Sequence, residues 1–96
     1  MLKNEMVLAA VKRVVALSVK AEKIEWKEDR LILSDKVSET ETYTGMGTTL
    51  IRRWTEELDA ASKVEMGKRN IRFQLKHYAT IGTPRRCLAV YDVLVD

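Results

Sequence analysis

The sequence predicts an α+β fold: two helices on one face of an antiparallel sheet of four to five strands, in the order α-β-β-(β)-α-β-β. Three observations support this. Two long segments carry apolar residues at helical spacing, whereas two pairs of short segments carry them at the spacing of strands. Short turns join the members of each pair, as in antiparallel hairpins. A chain of 96 residues fits one domain, so residues 1–96 are expected to fold as one unit.

Composition and charge narrow the class of protein. Apolar residues make up 46% of the chain and charged residues 32%, which is typical of a globular domain. The single cysteine, Cys87, cannot form an internal disulfide, which favours a reducing compartment. Lys12 and Arg13 interrupt the apolar run near the N-terminus, so this run does not resemble a signal peptide or a membrane-spanning helix. We therefore expect a cytoplasmic protein without a membrane partner.

The first predicted helix, Leu2–Lys20, is apolar over most of its circumference. An ordinary surface helix has an apolar stripe of roughly 100°. Such a helix is either buried deeply in its own domain or partly covered by a second subunit, and deep burial is hard to arrange in a small domain. A homodimer is therefore expected, with internal burial as the alternative. The charged residues share one narrow strip: Glu5, Lys12, Arg13, Lys20 and Lys23.

The first predicted hairpin spans Lys23–Ser34 and turns at Glu28-Asp29. Ile24 and Trp26 alternate with charged residues before the turn. The next segment, Val37–Thr44, is polar and rich in threonine. It is either an edge strand, for which Thr and Tyr are suited, or a loop.

The second predicted helix, Thr48–Met66, has an apolar face at helical spacing. Thr48 or Thr49 is suited to the N-cap, and Gly67 is well placed to end the helix in a left-handed conformation. The apolar face consists of Leu50, Ile51, Trp54, Leu58, Ala61 and Val64.

The second predicted hairpin joins two unlike strands. Asn70–Ala79 alternates apolar with polar residues, and the connection Thr80–Arg86 contains Gly82 and Pro84. Cys87–Val95 is apolar on both faces, which is typical of a strand that is covered on both sides. This last strand is therefore expected in the centre of the sheet or at a subunit interface.

Positive charge is concentrated in Gly67–Tyr91, which carries six bases and no acid, although the whole chain has a net charge of only +3. A basic hairpin can contact the phosphates of a nucleic acid or the carboxylates of an acidic protein. The same charge on a solvated sheet face would serve only solubility and edge protection. The candidate binding residues are Arg72, Gln74, Lys76, Tyr78, Arg85 and Arg86.

A second candidate site lies at the start of the second helix. Glycines precede its N-terminus, whose free amides and positive dipole end can bind an anion. Arg52 and Arg53 fall in or near the predicted first turn, where the dipole favours acids, and a bound anion would resolve this conflict. The alternative is a capped loop with these arginines paired to Glu56 and Glu57. The candidate anion-binding residues are Gly47, Thr48, Thr49, Arg52 and Arg53.

No catalytic or metal-binding motif is present. One histidine and one cysteine lack the spacing of a zinc site, so we expect no metal and no cofactor. If the last two strands pair, His77 and Cys87 would come near each other, but a cysteine between apolar residues is most often a buried hydrophobe. Asp92 interrupts the apolar last strand; a buried aspartate there would often pair with an arginine, whereas an acid–base role would require a cleft. We therefore expect a protein that is not an enzyme.

Three functional hypotheses follow. The first is a non-enzymatic protein that binds nucleic acid through the basic hairpin. The second is a protein-binding adaptor or inhibitor, of the type found among small mobile-element proteins, that recognises an acidic partner. The third is binding of a small anion or ligand at Gly45–Thr49 or in a dimer cleft.

Overall fold

The structure, a computed structural model, describes residues 5–37, 46–63, 70–82 and 85–95. Its elements follow the order α-β-β-α-β-β, and all strand pairs are antiparallel, which confirms the predicted α+β class. The elements are α1 (Glu5–Ser18), β1 (Lys23–Lys27), β2 (Arg30–Lys36), α2 (Met46–Ser62), β3 (Ile71–Ile81) and β4 (Arg86–Val95).

The four strands form one sheet in the order β1-β2-β4-β3. The two hairpins therefore meet through β2 and β4, and within residues 5–37, 46–63, 70–82 and 85–95 the edges are β1 and β3. The apolar strand β4 is an inner strand, as its sequence predicts.

The first hairpin closes tightly. Lys27 pairs with Arg30, so Glu28 and Asp29 form a two-residue turn, as predicted. The backbone of Glu28 has φ 60°, in the left-handed region that favours glycine. The edge strand expected at Val37–Thr44 lies outside the described residues except for Val37, which is buried and whose amide donates a hydrogen bond to the Arg85 carbonyl at 2.9 Å.

Helix α2 begins at Met46, two residues earlier than predicted, so Gly47 lies inside its first turn. The described part of the helix ends at Ser62, and the predicted cap at Gly67 lies outside the described residues.

The hydrophobic core lies on one face of the sheet, called here the core face. Leu31 and Leu33 of β2 pair across the sheet with Tyr91 and Ala89 of β4, and all four are almost fully buried. The buried residues of both helices belong to the same cluster. This cluster contains Val11, Val15, Val19, Leu31, Leu33, Val37, Leu50, Ile51, Trp54, Leu58, Ile71, Cys87, Ala89, Tyr91 and Val93.

Part of the wide apolar surface of α1 is buried in the core, and another part of it is exposed to solvent. Val11 and Val15 are completely buried. Met6 and Leu17, on the opposite side, are 81% and 84% exposed. The domain therefore covers only one side of this helix.

Strand β3 contains a β-bulge that its sequence did not predict. Leu75 pairs with Tyr91, but His77 pairs with Val90, so Lys76 is an extra residue opposite β4. A one-residue shift moves every following side chain to the other face of a sheet. The strict alternation expected through Ala79 is therefore wrong after Leu75.

Candidate binding surface

The sheet face opposite the core, called here the outer face, combines alternate residues from all four strands. Its composition follows from the strand register, since directly paired residues point to the same side. Its residues are Lys23, Glu25, Lys27, Arg30, Ile32, Ser34, Lys36, Arg72, Gln74, His77, Ala79, Ile81, Arg86, Leu88, Val90, Asp92 and Leu94.

The centre of the outer face is apolar. Ile32 of β2 pairs directly with Val90 of β4, and both are half-buried, as are the neighbouring Leu88 and Ala79. The two faces of β4 are thus apolar, as predicted, but the hydrophobic core covers only one of them among the described residues.

Bases lie at both ends of this apolar centre and along its β1 side. The outer face carries six of them against two acids, Glu25 and Asp92. Four of the bases come from the first hairpin, which holds none of the candidate binding residues and whose acids balance its bases in number. The strand alternation contained the missing signal: Asp35 points to the core face, and Glu28 and Asp29 lie in the turn. The six bases are Lys23, Lys27, Arg30, Lys36, Arg72 and Arg86.

Two of these bases are paired with acids. Arg30 Nε lies 3.2 Å from Asp92 Oδ1, so Asp92 is paired with an arginine although it is only half-buried. Arg86 Nη1 lies 2.8 Å from Glu22 Oε1, and its buried Nη2 has no hydrogen-bond partner among the described residues. Pairs this exposed contribute roughly 0–1 kcal/mol to stability.

The bulge divides the predicted basic site between the two faces. Arg72, Gln74 and Arg86 lie on the outer face, and Lys76 is the extra residue of the bulge. Tyr78 pairs with the buried Ala89 and therefore lies on the core face, where it is 56% exposed. The predicted tyrosine thus does not share a surface with Arg72. The sixth residue, Arg85, lies in the exposed turn before β4.

The candidate anion-binding residues lie at other positions along α2 than the sequence predicts. Gly47 and Thr48 lie in the first helical turn of α2, Thr49 follows them, and Arg52 is exposed further along the helix. Because the helix starts early, Arg52 and Arg53 lie beyond its first turn. The conflict with the helix dipole, which motivated this site, is therefore absent.

Arg53 makes contacts within the protein that account for its position on α2. Its guanidinium donates to the Lys20 carbonyl and lies 3.7 Å from Glu57 Oε1, one turn along α2. This is the helical pairing that the sequence offered as the alternative to an anion site.

The strand register separates His77 from Cys87. His77 pairs with Val90 on the outer face, and Cys87 is completely buried on the core face. Burial raises the pKa of the Cys87 thiol, and a hydrogen bond with Thr80 offsets part of this effect. A Cys–His nucleophilic pair is therefore excluded. Among the described residues, no three His, Cys, Asp or Glu side chains come together as metal ligands.

Comparisons of the chain with protein-family models, with curated proteins and with solved structures found no match. In the part of the chain that the structure describes, no helix is long and apolar enough to span a membrane. Function therefore has to be inferred from the outer face itself.

Proposed function

We propose that this chain is a non-enzymatic binding protein whose outer face binds a protein partner with an apolar centre and an acidic border. The observation that carries the proposal is the half-buried apolar patch around Ile32 and Val90, with bases at both ends and along its β1 side. Protein–protein interfaces commonly have an apolar centre and a polar rim. A cytoplasmic location, suggested by the single cysteine, is part of the same proposal.

Charge complementarity defines the border of the partner. Lys23, Lys27, Lys36 and Arg72 are exposed and are not engaged in the two ion pairs of this face. Their field attracts carboxylates and increases the rate of association with an acidic surface. An acidic border on the partner is therefore expected to contribute more to the selection of that partner than to the affinity of the complex.

The centre of the outer face favours a protein over a nucleic acid. Single-stranded nucleic acids stack their bases on aromatic rings. The central side chains here are aliphatic, and Tyr78, the one aromatic residue among the candidate binding residues, lies on the core face. Burial of Ile32, Val90 and Leu88 against an apolar surface would gain about 25 cal/mol for each Å² removed from water.

Affinity capture with matched variants tests the proposal. The bait is the tagged chain, and the lysate is treated with nuclease. Lys27→Glu combined with Arg72→Glu reverses two exposed charges on the rim, and Ile32→Thr combined with Val90→Thr makes the centre polar while keeping β-branched residues. Both double variants are expected to lose the same captured protein that the wild type retains.

The control is Arg13→Glu combined with Lys63→Glu, which reverses two exposed charges outside the sheet. This variant is expected to retain the partner. A partner lost equally from the control and the rim variant, or no nuclease-resistant partner at all, would contradict the proposal. Circular dichroism of each variant establishes that the fold is intact.

A nucleic acid is the second candidate, because the outer face brings six bases onto one surface. Mobility-shift titrations with single- and double-stranded DNA and RNA at low salt provide the test. Binding would weaken as salt rises, with a log–log slope that reports the number of phosphate contacts. The absence of any shift at low salt would remove this candidate.

Self-association is a separate part of the proposal. Met6 and Leu17 are the two most exposed large apolar side chains of the described residues, and Ala9 and Ala16 are exposed beside them on α1. A second copy packed on this helix would bury them. Sedimentation velocity is expected to show a dimer that Leu17→Lys disrupts and Lys63→Glu, beyond the end of α2, leaves largely intact. A monomer at all concentrations would contradict it.

A further inference from the structure

Among the described residues, strand β3 is an edge of the sheet. It is eleven residues long, and β4 is the only strand paired with it among the described residues. An edge strand of this kind presents backbone N–H and C=O groups that can pair with another chain. The other edge, β1, has only five residues, so it offers a shorter ladder.

Two large apolar side chains project from the last part of this edge on opposite sides. Tyr78, on the core face, is 56% exposed, and Ile81, on the outer face, is 58% exposed. A partner that lies on one face of the sheet can cover only one of them. A strand laid alongside the edge contacts both, because its own side chains alternate between the two faces.

The positive charge along β3 indicates which kind of partner strand this edge can bind. β3 contains Arg72 and Lys76 and no acidic residue, and the exposed Lys76 immediately precedes the segment with Tyr78. Acidic residues flanking the added strand would be complementary to these bases. The bulge interrupts the ladder at Lys76, so an added strand pairs most regularly with 77–81.

We propose that 77–81 of β3 binds an extended segment of a partner protein by strand addition, and that this segment has an apolar centre and acidic flanks. This inference rests on the proposed function, since it assumes that the partner is a protein. Backbone hydrogen bonds would provide much of the affinity, and the contacts with Tyr78 and Ile81 would provide the selectivity.

The probe is a synthetic peptide library with fixed acidic flanks and a six-residue core restricted to Val, Ile, Thr and Tyr. The library is selected against the full chain, and the enriched peptides are measured by fluorescence polarisation. Tyr78→Thr and Ile81→Thr are each expected to raise the dissociation constant of the peptide about tenfold. Each substitution removes an apolar contact with the peptide, and the apolar area lost is of the size that changes affinity by about that factor. Ala60→Ser, at an exposed apolar position on α2 outside every proposed surface, is the control and is expected to change nothing.

Two further measurements separate strand addition from other binding modes. An N-methylated version of an enriched peptide cannot donate ladder hydrogen bonds and is expected to lose binding. Hydrogen exchange of the complex is expected to slow at amides within 77–81 and to stay unchanged in α1. Lys76→Glu is expected to weaken peptides with acidic flanks and to improve peptides with lysine flanks, whereas Lys63→Glu does neither.

A library that yields no peptide dependent on Tyr78 and Ile81 would overturn this inference. So would a dimer of the chain alone that Tyr78→Thr and Ile81→Thr disrupt, because the occupant of the edge would then be a second copy. Neither result affects the proposed function, which is decided by the Ile32, Val90 and rim variants on the outer face.

Discussion

The indole nitrogen of Trp54 in α2 donates a hydrogen bond to the carbonyl oxygen of Lys20, just beyond the end of α1, at 3.0 Å. Arg53 donates to the same carbonyl, and the Lys20 amide donates to Glu57 Oε1 at 3.3 Å. Backbone groups just after a helix have no partner within the helix and need one elsewhere. Three side chains of α2 therefore hold the segment that leads from α1 into β1.

Substitution of Trp54 by phenylalanine is the first prediction. The change keeps an aromatic ring in the core but removes the indole donor, and Trp54 is completely buried. We expect the free energy of unfolding to fall by about 1–2 kcal/mol, since Arg53 still satisfies part of the Lys20 carbonyl. Urea unfolding followed by circular dichroism measures this loss.

The control for this prediction is Trp54→Ala, which also empties the space of the ring. It is expected to cost about 3–5 kcal/mol, as other large-to-small substitutions in cores do. An equal cost for the two substitutions would show that the hydrogen bond, rather than ring volume, dominates at this position. A negligible cost of Trp54→Phe would contradict a structural role of the hydrogen bond.

The turn of the first hairpin gives the second prediction. Glu28 has φ 60°, which is unfavourable for a residue with a Cβ atom, and two-residue hairpin turns favour glycine at such positions. Glu28→Gly is expected to raise the free energy of unfolding by about 0.5–1 kcal/mol. Thermal unfolding is the measurement.

Asp29→Gly is the matched control for the turn. Asp29 occupies the second turn position without a positive φ, so glycine there relieves no strain and adds freedom to the unfolded chain. This variant is expected to be less stable than the wild type. If both glycine variants are destabilised, the left-handed conformation of Glu28 is not a source of strain.

Stability at alkaline pH is the third prediction. Burial raises the pKa of the Cys87 thiol and of the Tyr91 phenol, and hydrogen bonds with Thr80 and Thr55 respectively offset part of it. As pH rises, the unfolded chain releases these protons before the folded chain does. The stability that each group contributes is therefore fully present below its ordinary pKa, which is 9.0 for Cys87 and 10.0 for Tyr91. It is lost as the pH rises above that value.

Substitutions of Cys87 and Tyr91 distinguish the contribution of these two groups to alkaline stability from that of the other titrating residues. Each buried group contributes a slope of at most about 1.4 kcal/mol per pH unit. Cys87→Ala and Tyr91→Phe are expected to flatten the fall of stability between pH 9 and 11, measured by urea unfolding at each pH. Tyr91→Phe is also expected to cost about 1 kcal/mol at pH 7, because it removes the 2.9 Å hydrogen bond to Thr55. Unchanged alkaline slopes in both variants would contradict the assignment.

Much of the fold follows from patterns that are local in the sequence. The spacing of apolar residues predicts both helices, and the apolar character of β4 on both faces predicts its inner position. The early start of α2 at Met46 was missed, because glycines commonly end regular structure and Gly47 lies within the helix. Local patterns also identified Glu28-Asp29 as the first turn, which the register confirms.

The candidate site was less predictable, because it depends on pairing between distant strands. The bases of the first hairpin join Arg72 only through the order of the strands, which no single segment encodes. The position of Tyr78 depends on the bulge, and a bulge has no clear sequence signal in a strand that alternates on both sides of it. A one-residue insertion thus decided which residues share a surface.

Deletion of Lys76 is the fourth prediction, and it tests the bulge directly. Lys76 is the extra residue between Leu75 and His77, so its removal joins two segments that already have the correct register with β4. The free energy of unfolding is expected to change by less than about 1 kcal/mol, because the removed residue is exposed and the ladder becomes regular. Deletion of Gln74 is the matched control: it forces Ile71 and Phe73, or Leu75, onto the outer face, at an expected cost of about 2–4 kcal/mol. Urea unfolding of both variants provides the comparison, and equal costs for the two deletions would show that Lys76 is not the inserted residue.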